Sequence, residues 1–163
     1  MVLQEIINFD YSDFKNIDLL KEEKNLSDED AIYTYVYNLI DNAPITIGGQ
    51  LLSLINRIKQ KLDSEFVDVA LGIISMSRNG VSESLIKGVF EELGLNFDAA
   101  DFSYLKKTLR LFFKENNKKI DYSHKIIDDV LEDLYINKYA AKSLEINNAT
   151  VRYLSKLEDS EFK

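Results

Sequence analysis

The feature that most constrains this chain is a change of hydrophobic period inside residues 66–135. The segment opens with the letters FVDVALGIISM, in which apolar residues occupy nearly every side of a helix. A helix of this kind has to be surrounded by other elements, so the pattern predicts a central, buried helix over 65–77. Two amphipathic patterns with a helical period follow, and they predict helices that begin at Ser82 and at Asp98.

Alternation replaces the helical period directly afterwards. Two leucines and a phenylalanine take every second position over 109–114, which predicts a strand. Residues 115–118 predict a turn, because asparagine tolerates the positive φ of a tight hairpin, and 119–122 predict the second strand. Three helices, a hairpin and a further helix succeed one another in a winged-helix domain. We therefore predict a mostly α fold, a helical bundle that contains a winged-helix-like unit with one small β-hairpin as its wing.

Helical patterns lie on both sides of that unit. Ser27 precedes three acidic residues and an apolar stripe, which predicts a capped helix. Apolar residues are already in helical phase at the start of the chain, so we expect the first element to begin upstream, as in a piece of a longer protein. The predicted organisation is an N-terminal helical segment over 1–62 with helices at about 27–41 and 46–62, a winged-helix domain over 63–135, and a C-terminal helix over 136–163.

The last helix is predicted over 138–158. The pair Asn147–Asn148 predicts a break within it, because asparagine is a poor helix former. Four apolar residues are spaced to pack against the rest of the fold, and they are Ala141, Leu144, Val151 and Leu154.

Composition excludes several classes of site. The chain has no cysteine and a single histidine, His124, so it can hold neither a thiolate metal site nor a multi-histidine one. A Ser/His/Asp triad would have to use that histidine, and the sequence has no glycine-rich loop followed by lysine that would bind phosphate as a P-loop does. We therefore predict no enzyme activity and no cofactor for this chain alone.

The net charge of −8 argues against nucleic acid as a partner, because duplex-binding domains gain most of their affinity from lysine and arginine on phosphates. The sequence lacks an apolar run of about 18 residues, so we expect no membrane span, and its acidic start is unlike a signal peptide. The predicted location is the cytoplasm. Basic residues nevertheless cluster where a DNA-binding winged helix meets the duplex, on its third helix and wing. They are Lys106, Lys107, Arg110, Lys114, Lys118 and Lys119.

His124 is the strongest candidate for chemistry. Ser123 is predicted to cap a helix that runs to about Tyr135, which places His124 in the first turn. Such a turn offers free N–H groups and a positive dipole end, and a histidine there can donate a hydrogen bond to phosphate. The alternative is a structural histidine that joins hairpin to helix through a backbone carbonyl. Acidic residues further along the helix are predicted to form a solvated face rather than a general acid–base site, and they are Asp128, Asp129, Glu132 and Asp133.

Two segments resemble the winged-helix arm of NACHT-type signal-transducing NTPases, the large STAND-class ATPases with C-terminal repeats. Residues 70–84 read ALGIISMSRNGVSES and resemble the L-x-x-x-x-x-S-R-x-G-L-S-E-x-E-L segment of that family. Further along, the letters IDYSH end at His124 and precede a predicted helix, which resembles the family's F-x-F-x-H segment. The resemblance covers about residues 45–158. This chain departs from the family pattern at Leu85 and Ile86, and at Asp128, where the family often has a basic residue or glutamine.

The resemblance implies a non-enzymatic regulatory module. In this family the arm folds over the NTPase domain, and its histidine contacts the phosphate of bound ADP and so holds the resting state closed. By resemblance His124, with Ser123 beside it, would bind that phosphate only together with the NTPase domain, which this chain lacks. ADP and ATP would then be ligands of the parent protein, and the partners would be its NTPase domain and other proteins. Two further hypotheses are a stand-alone helical adaptor that binds a protein partner and a DNA-binding winged helix.

Overall fold

The structure, a computed structural model, describes residues 9, 11–77, 79–138 and 140–161. Over these residues the chain is mostly helical, with eight α-helices, one short π-helical segment and a small three-stranded antiparallel sheet. The predicted helical class is confirmed, whereas the element predicted at the very start of the chain lies outside the described residues. The chain divides into two compact units, Met1–Gln50 and Leu51–Lys163. No described helix is both long enough and apolar enough to cross a membrane.

The first unit contains a pair of packed helices, α1 (Tyr11–Lys24) and α2 (Asp28–Asp41). Ser27 caps α2 as predicted, because its hydroxyl accepts a hydrogen bond from the N–H of Asp30 at 3.1 Å. Ile17 on α1 and Ala31 on α2 are buried. A helix cap and one buried apolar side chain on each helix thus stabilise this part of the fold.

The second unit is built around α4 (Ser64–Ser75). Asp63 caps this helix by accepting a hydrogen bond from the N–H of Phe66 at 2.9 Å. Most of its side chains are buried, as its all-round apolar pattern predicted. Apolar residues of three further helices complete the same core, and these helices are α3 (Ile47–Lys59), which is shorter than predicted, α5 (Glu83–Glu92) and α6 (Ala99–Thr108).

A small sheet closes one side of this core. Its strands are β1 (Val81–Ser82), β2 (Phe113–Asn116) and β3 (Lys119–Tyr122), in the order β1-β3-β2 and antiparallel throughout. Phe113 lies opposite Tyr122 in the β2–β3 pair. Between these strands, Asn117 and Lys118 have φ values of 50° and 62°. Both values belong to the tight hairpin turn that the asparagines predicted.

The strand predicted over 109–114 is wrong for its first four residues. Residues 109–112 form turns in which the N–H of Phe112 donates to the Leu109 carbonyl at 2.9 Å. Leu109 and Phe112 are buried, whereas Leu111 between them is 47% exposed. Burial of residues three apart is the spacing of a helical turn, so the alternation in this stretch does not reflect a strand. Strand β1 was not predicted, because two residues are too few to show a period.

The C-terminal part of the second unit also departs from its prediction. Helix α7 (Lys125–Glu132) continues into a π-helical segment, Asp133–Lys138, and α8 (Ala140–Glu161) then runs without the break predicted at Asn147–Asn148. Exposed asparagines cost a helix only a fraction of a kcal/mol each, about 0.7 at most, so they do not interrupt it. The predicted packing positions Ala141, Leu144, Val151 and Leu154 are exposed, and Ile146 and Ala149 are buried instead.

Candidate functional site

His124 lies on the wall of an open cleft in the second unit. The cleft has a volume of about 900 Å³, and its walls come from the end of α4, the β2–β3 hairpin, α7, the π-helical segment and α8. Only Ser123 separates the end of β3 from His124, so the hairpin determines the position of the histidine on the cleft wall. The other lining residues are Ser75, Met76, Ser77, Lys114, Asp121, Tyr122, Ser123, Lys125, Asp128, Glu132, Ile136, Ala140, Ser143, Leu144 and Asn147.

His124 occupies the N-cap position of α7, one residue before the first turn in which it was predicted. Its backbone is extended, with φ −148° and ψ 148°, and its carbonyl accepts a hydrogen bond from the N–H of Ile127 at 3.0 Å. The imidazole is exposed and forms no capping hydrogen bond with the start of the helix. This side chain can therefore donate to a group that enters the cleft.

Ser123 does not cap α7, so that prediction is wrong. Its hydroxyl lies 3.0 Å from the Leu111 carbonyl and 2.9 Å from the Phe112 carbonyl, to which it donates. Its N–H also donates to the Phe112 carbonyl, at 2.9 Å. These bonds tie the end of β3 to the residues that lead into β2. Ser123 thus positions His124, and its own proton is directed into the base of the hairpin.

The charges around the cleft are mixed. Lys114 and Lys125 line it, but so do the carboxylates of Asp121, Asp128 and Glu132. The Lys114 ammonium lies 3.3 Å from the Asp121 carboxylate, which neutralises much of its charge. A phosphate in this cleft would gain a hydrogen bond from His124 without gaining a strongly positive field.

Tyr122 connects the cleft to α4. Its hydroxyl donates a hydrogen bond to the Ile74 carbonyl at 2.6 Å, and only 8% of the residue is exposed. Burial raises the pKa of Tyr122 well above its ordinary value, and the negative charges of Asp128, Asp121 and Glu132 raise it further. The phenol therefore remains a protonated donor that holds the hairpin against α4.

The basic residues predicted on the third helix and wing divide into two groups. Lys106 pairs with Glu83 at 2.9 Å and Lys114 pairs with Asp121, so their charges are compensated within the fold. The other four are exposed, and none of them pairs with an acidic side chain among the described residues. These four are Lys107, Arg110, Lys118 and Lys119.

The acidic residues of α7 and the turn after it are likewise divided. Asp129 and Asp133 are exposed, in keeping with the predicted solvated face. Glu132 is also exposed and Asp128 is partly buried, and both line the cleft, on the same side of the helix as His124. Over the described residues, no group of three carboxylates or histidines is placed to hold a metal ion.

Comparison of the chain with protein-family models, with curated proteins and with solved structures gives no match. A function for this chain has to be inferred from the cleft and from the exposed surfaces around the fold.

Proposed function

We propose that this chain is a non-enzymatic regulatory module, a winged-helix arm of a STAND-type NTPase in which His124 contacts the phosphate of bound ADP. The observation that carries the proposal is the position of His124. It stands at the start of α7, exposed on the wall of a cleft, and its imidazole is not used by its own helix. The N–H groups of the first turn lie beside it, and they favour an anion at the same place.

The order of the elements supports the winged-helix part of the proposal. A winged helix consists of a helix, a short strand, two helices and a final strand pair that forms the wing. Here α4, β1, α5, α6, β2 and β3 follow one another in that order. β3 lies between the other two strands, so the short strand that follows the first helix joins the wing in one sheet.

The residues of the cleft suit a single phosphate contact rather than a complete nucleotide site. His124 is available as a donor, and Lys125 follows it at the start of α7. Asp128 and Glu132 oppose a second or third negative charge, and Lys114 is already held by Asp121. The remaining phosphate ligands would have to come from the NTPase domain of the parent protein, which binds the nucleotide.

Such a contact makes the arm a two-state element. A phosphate that meets His124 stabilises only the conformation in which the arm covers the NTPase domain, so bound ADP shifts the population toward that closed state. A hydrogen bond to a charged group contributes about 1.5–3 kcal/mol, which corresponds to a shift of roughly 10- to 150-fold. One histidine is thus sufficient to bias the arm.

The test is the substitution His124→Leu in the parent protein. We expect ADP to be released at least about tenfold faster, because the phosphate loses its contact with the arm, and the protein to signal constitutively. Release is measured with a fluorescent ADP analogue. Asp129→Asn is the matched control, since Asp129 is exposed on the same helix but does not line the cleft.

The same substitution in the isolated chain separates sensing from structure. We expect the His124→Leu chain to keep a cooperative melting transition, because the imidazole forms no capping bond. Loss of that transition would assign the histidine a structural role. ADP release unchanged from wild type would show that it does not contact the nucleotide.

A further inference from the structure

Helix α2 carries apolar side chains on two sides. Its inner side packs within the first unit, where Ala31 is buried and the Tyr35 ring lies edge-on to Phe9 at 5.6 Å between centroids. The Tyr35 hydroxyl donates to the buried Asp13 carboxylate at 2.9 Å. The contacts of this inner side are sufficient to explain why the helix packs on α1.

The outer side of α2 presents a second apolar row. Ile32, Tyr33, Tyr37 and Ile40 are 46%, 71%, 55% and 52% exposed. The two tyrosine rings stack on each other, with centroids 6.4 Å apart and planes 20° apart. Tyr33, Tyr37 and Ile40 are spaced by four and three residues and therefore lie on one face of the helix, with Ile32 beside them. Single exposed apolar residues are ordinary, whereas a contiguous row of large ones marks an interaction surface.

Acidic residues continue this row at both ends. Glu29 precedes Tyr33 by one helical turn and Asp41 follows Tyr37 by one turn, and both are exposed. Neither forms an ion pair with another described residue. Residues 1–50 as a whole hold ten acidic and three basic residues. A second copy docked through the same face, or an anionic lipid surface, would place like charges against it, so both are disfavoured.

We infer that the outer face of α2 packs against an amphipathic helix of a partner protein, one whose apolar face is edged by lysine and arginine. Two such helices meet through side chains spaced by three and four residues, which Tyr33, Tyr37 and Ile40 provide. Tyrosine is enriched among the residues that dominate binding energy, and the acids at each end attract the basic residues that edge the partner's apolar face. The inference is independent of the nucleotide contact proposed for His124, since that residue belongs to the other unit.

The test uses the whole chain and three synthetic peptides of about 20 residues, long enough to form a helix. One peptide is amphipathic and made of leucine and lysine, one replaces lysine with glutamate, and one replaces leucine with serine. By isothermal titration we expect the leucine–lysine peptide to bind at least about tenfold more tightly than either of the others, because only it matches both the apolar row and the charges.

Two variants connect that binding to α2. Tyr33→Ser with Tyr37→Ser should weaken it at least about fivefold, whereas Val151→Ser with Leu154→Ser, an exposed apolar pair on α8, should leave it within about twofold. Charge reversal by Glu29→Lys with Asp41→Lys should move the preference to the leucine–glutamate peptide. The inference is overturned if the leucine–lysine peptide fails to bind or if both serine pairs weaken it equally. It is also overturned if sedimentation shows a dimer that the tyrosine substitutions abolish.

Discussion

The hydroxyl of Ser123 donates into the base of the hairpin, while the imidazole of the next residue lines the cleft. Serine before a helical pattern predicts a cap, because the backbone N–H groups of the first turn lack partners. Here the hydroxyl donates to two carbonyls instead, those of Leu111 and Phe112. Their positions depend on the strand pairing, so a local pattern does not reveal which acceptor the serine prefers.

The substitution Tyr122→Phe tests the link between hairpin and α4. It removes the hydrogen bond from the phenol to the Ile74 carbonyl and leaves the ring in place. We expect the free energy of unfolding at neutral pH to fall by about 1 kcal/mol, measured by urea denaturation. Tyr11→Phe is the control, because Tyr11 is 84% exposed, and it should change nothing.

The stability difference between wild type and Tyr122→Phe is expected to depend on pH. The pKa of Tyr122 is raised in the folded state above its ordinary value of 10.0, so the unfolded chain releases this proton first. The stability that Tyr122 contributes is complete below that pH and is lost as the pH rises toward the folded pKa. The difference in the free energy of unfolding between wild type and Tyr122→Phe should therefore become smaller above pH 10.0. A difference that stays constant up to the onset of alkaline unfolding would contradict this reasoning.

At the scale of elements, helix starts with a local acceptor were predicted correctly. Ser27 and Asp98 each accept from N–H groups of the turn that follows, and both contacts involve residues two or three positions away. The turn at Asn117–Lys118 was also predicted correctly, and its position fixes the register of β2 against β3. Once the turn is placed, Lys114 falls opposite Asp121, so their ion pair could have been predicted from the sequence.

Other elements depend on contacts that no local pattern shows. The two residues of β1 are a strand only because Val81 lies opposite Ile120. The buried side of α8 is set by packing on α4, where the Ile146 side chain lies against Gly72. His124 was identifiable in advance, and its spacing from Asp128 and Glu132 places all three on one side of a helix. The cleft that this side lines is assembled from five elements, so it could not be predicted from local patterns.

Close packing of α5 against α8 makes a prediction at Gly88. A Cβ atom at this position would overlap the ring of Tyr153. We expect Gly88→Ala to destabilise the protein by about 1–2 kcal/mol, because the overlap costs more than the roughly 1 kcal/mol gained in helix propensity. Thermal and urea denaturation measure the change, and Lys87→Ala on the exposed side of the same turn is the control.

A double-mutant cycle identifies the cause. With Tyr153→Ala in place, the ring is gone and Gly88→Ala should become neutral or stabilising. Equal destabilisation in both backgrounds would mean that the glycine serves a purpose other than admitting that ring.

For the whole molecule, the net charge of −8 is unevenly distributed. Ten acidic and three basic residues lie within 1–50, and eighteen acidic and seventeen basic residues lie within 51–163. The second unit is therefore nearly neutral, and the overall charge says little about what its surface binds. Binding to nucleic acid depends instead on the four uncompensated cations near the hairpin.

Those cations set an upper limit on duplex binding. With four phosphate contacts, the slope of log binding constant against log salt concentration is no steeper than about −4. Asp98 and Asp101, at the start of α6, would also repel the DNA backbone where a recognition helix enters the groove. We expect the dissociation constant for a labelled duplex to be weaker than about 10⁻⁴ M at about 150 mM salt, measured by fluorescence anisotropy. Lys118→Glu with Lys119→Glu is the control variant and should change little. If the duplex instead binds at micromolar concentration and the double charge reversal removes that binding, the hairpin contacts nucleic acid. A DNA-binding function would then replace the nucleotide-sensing proposal.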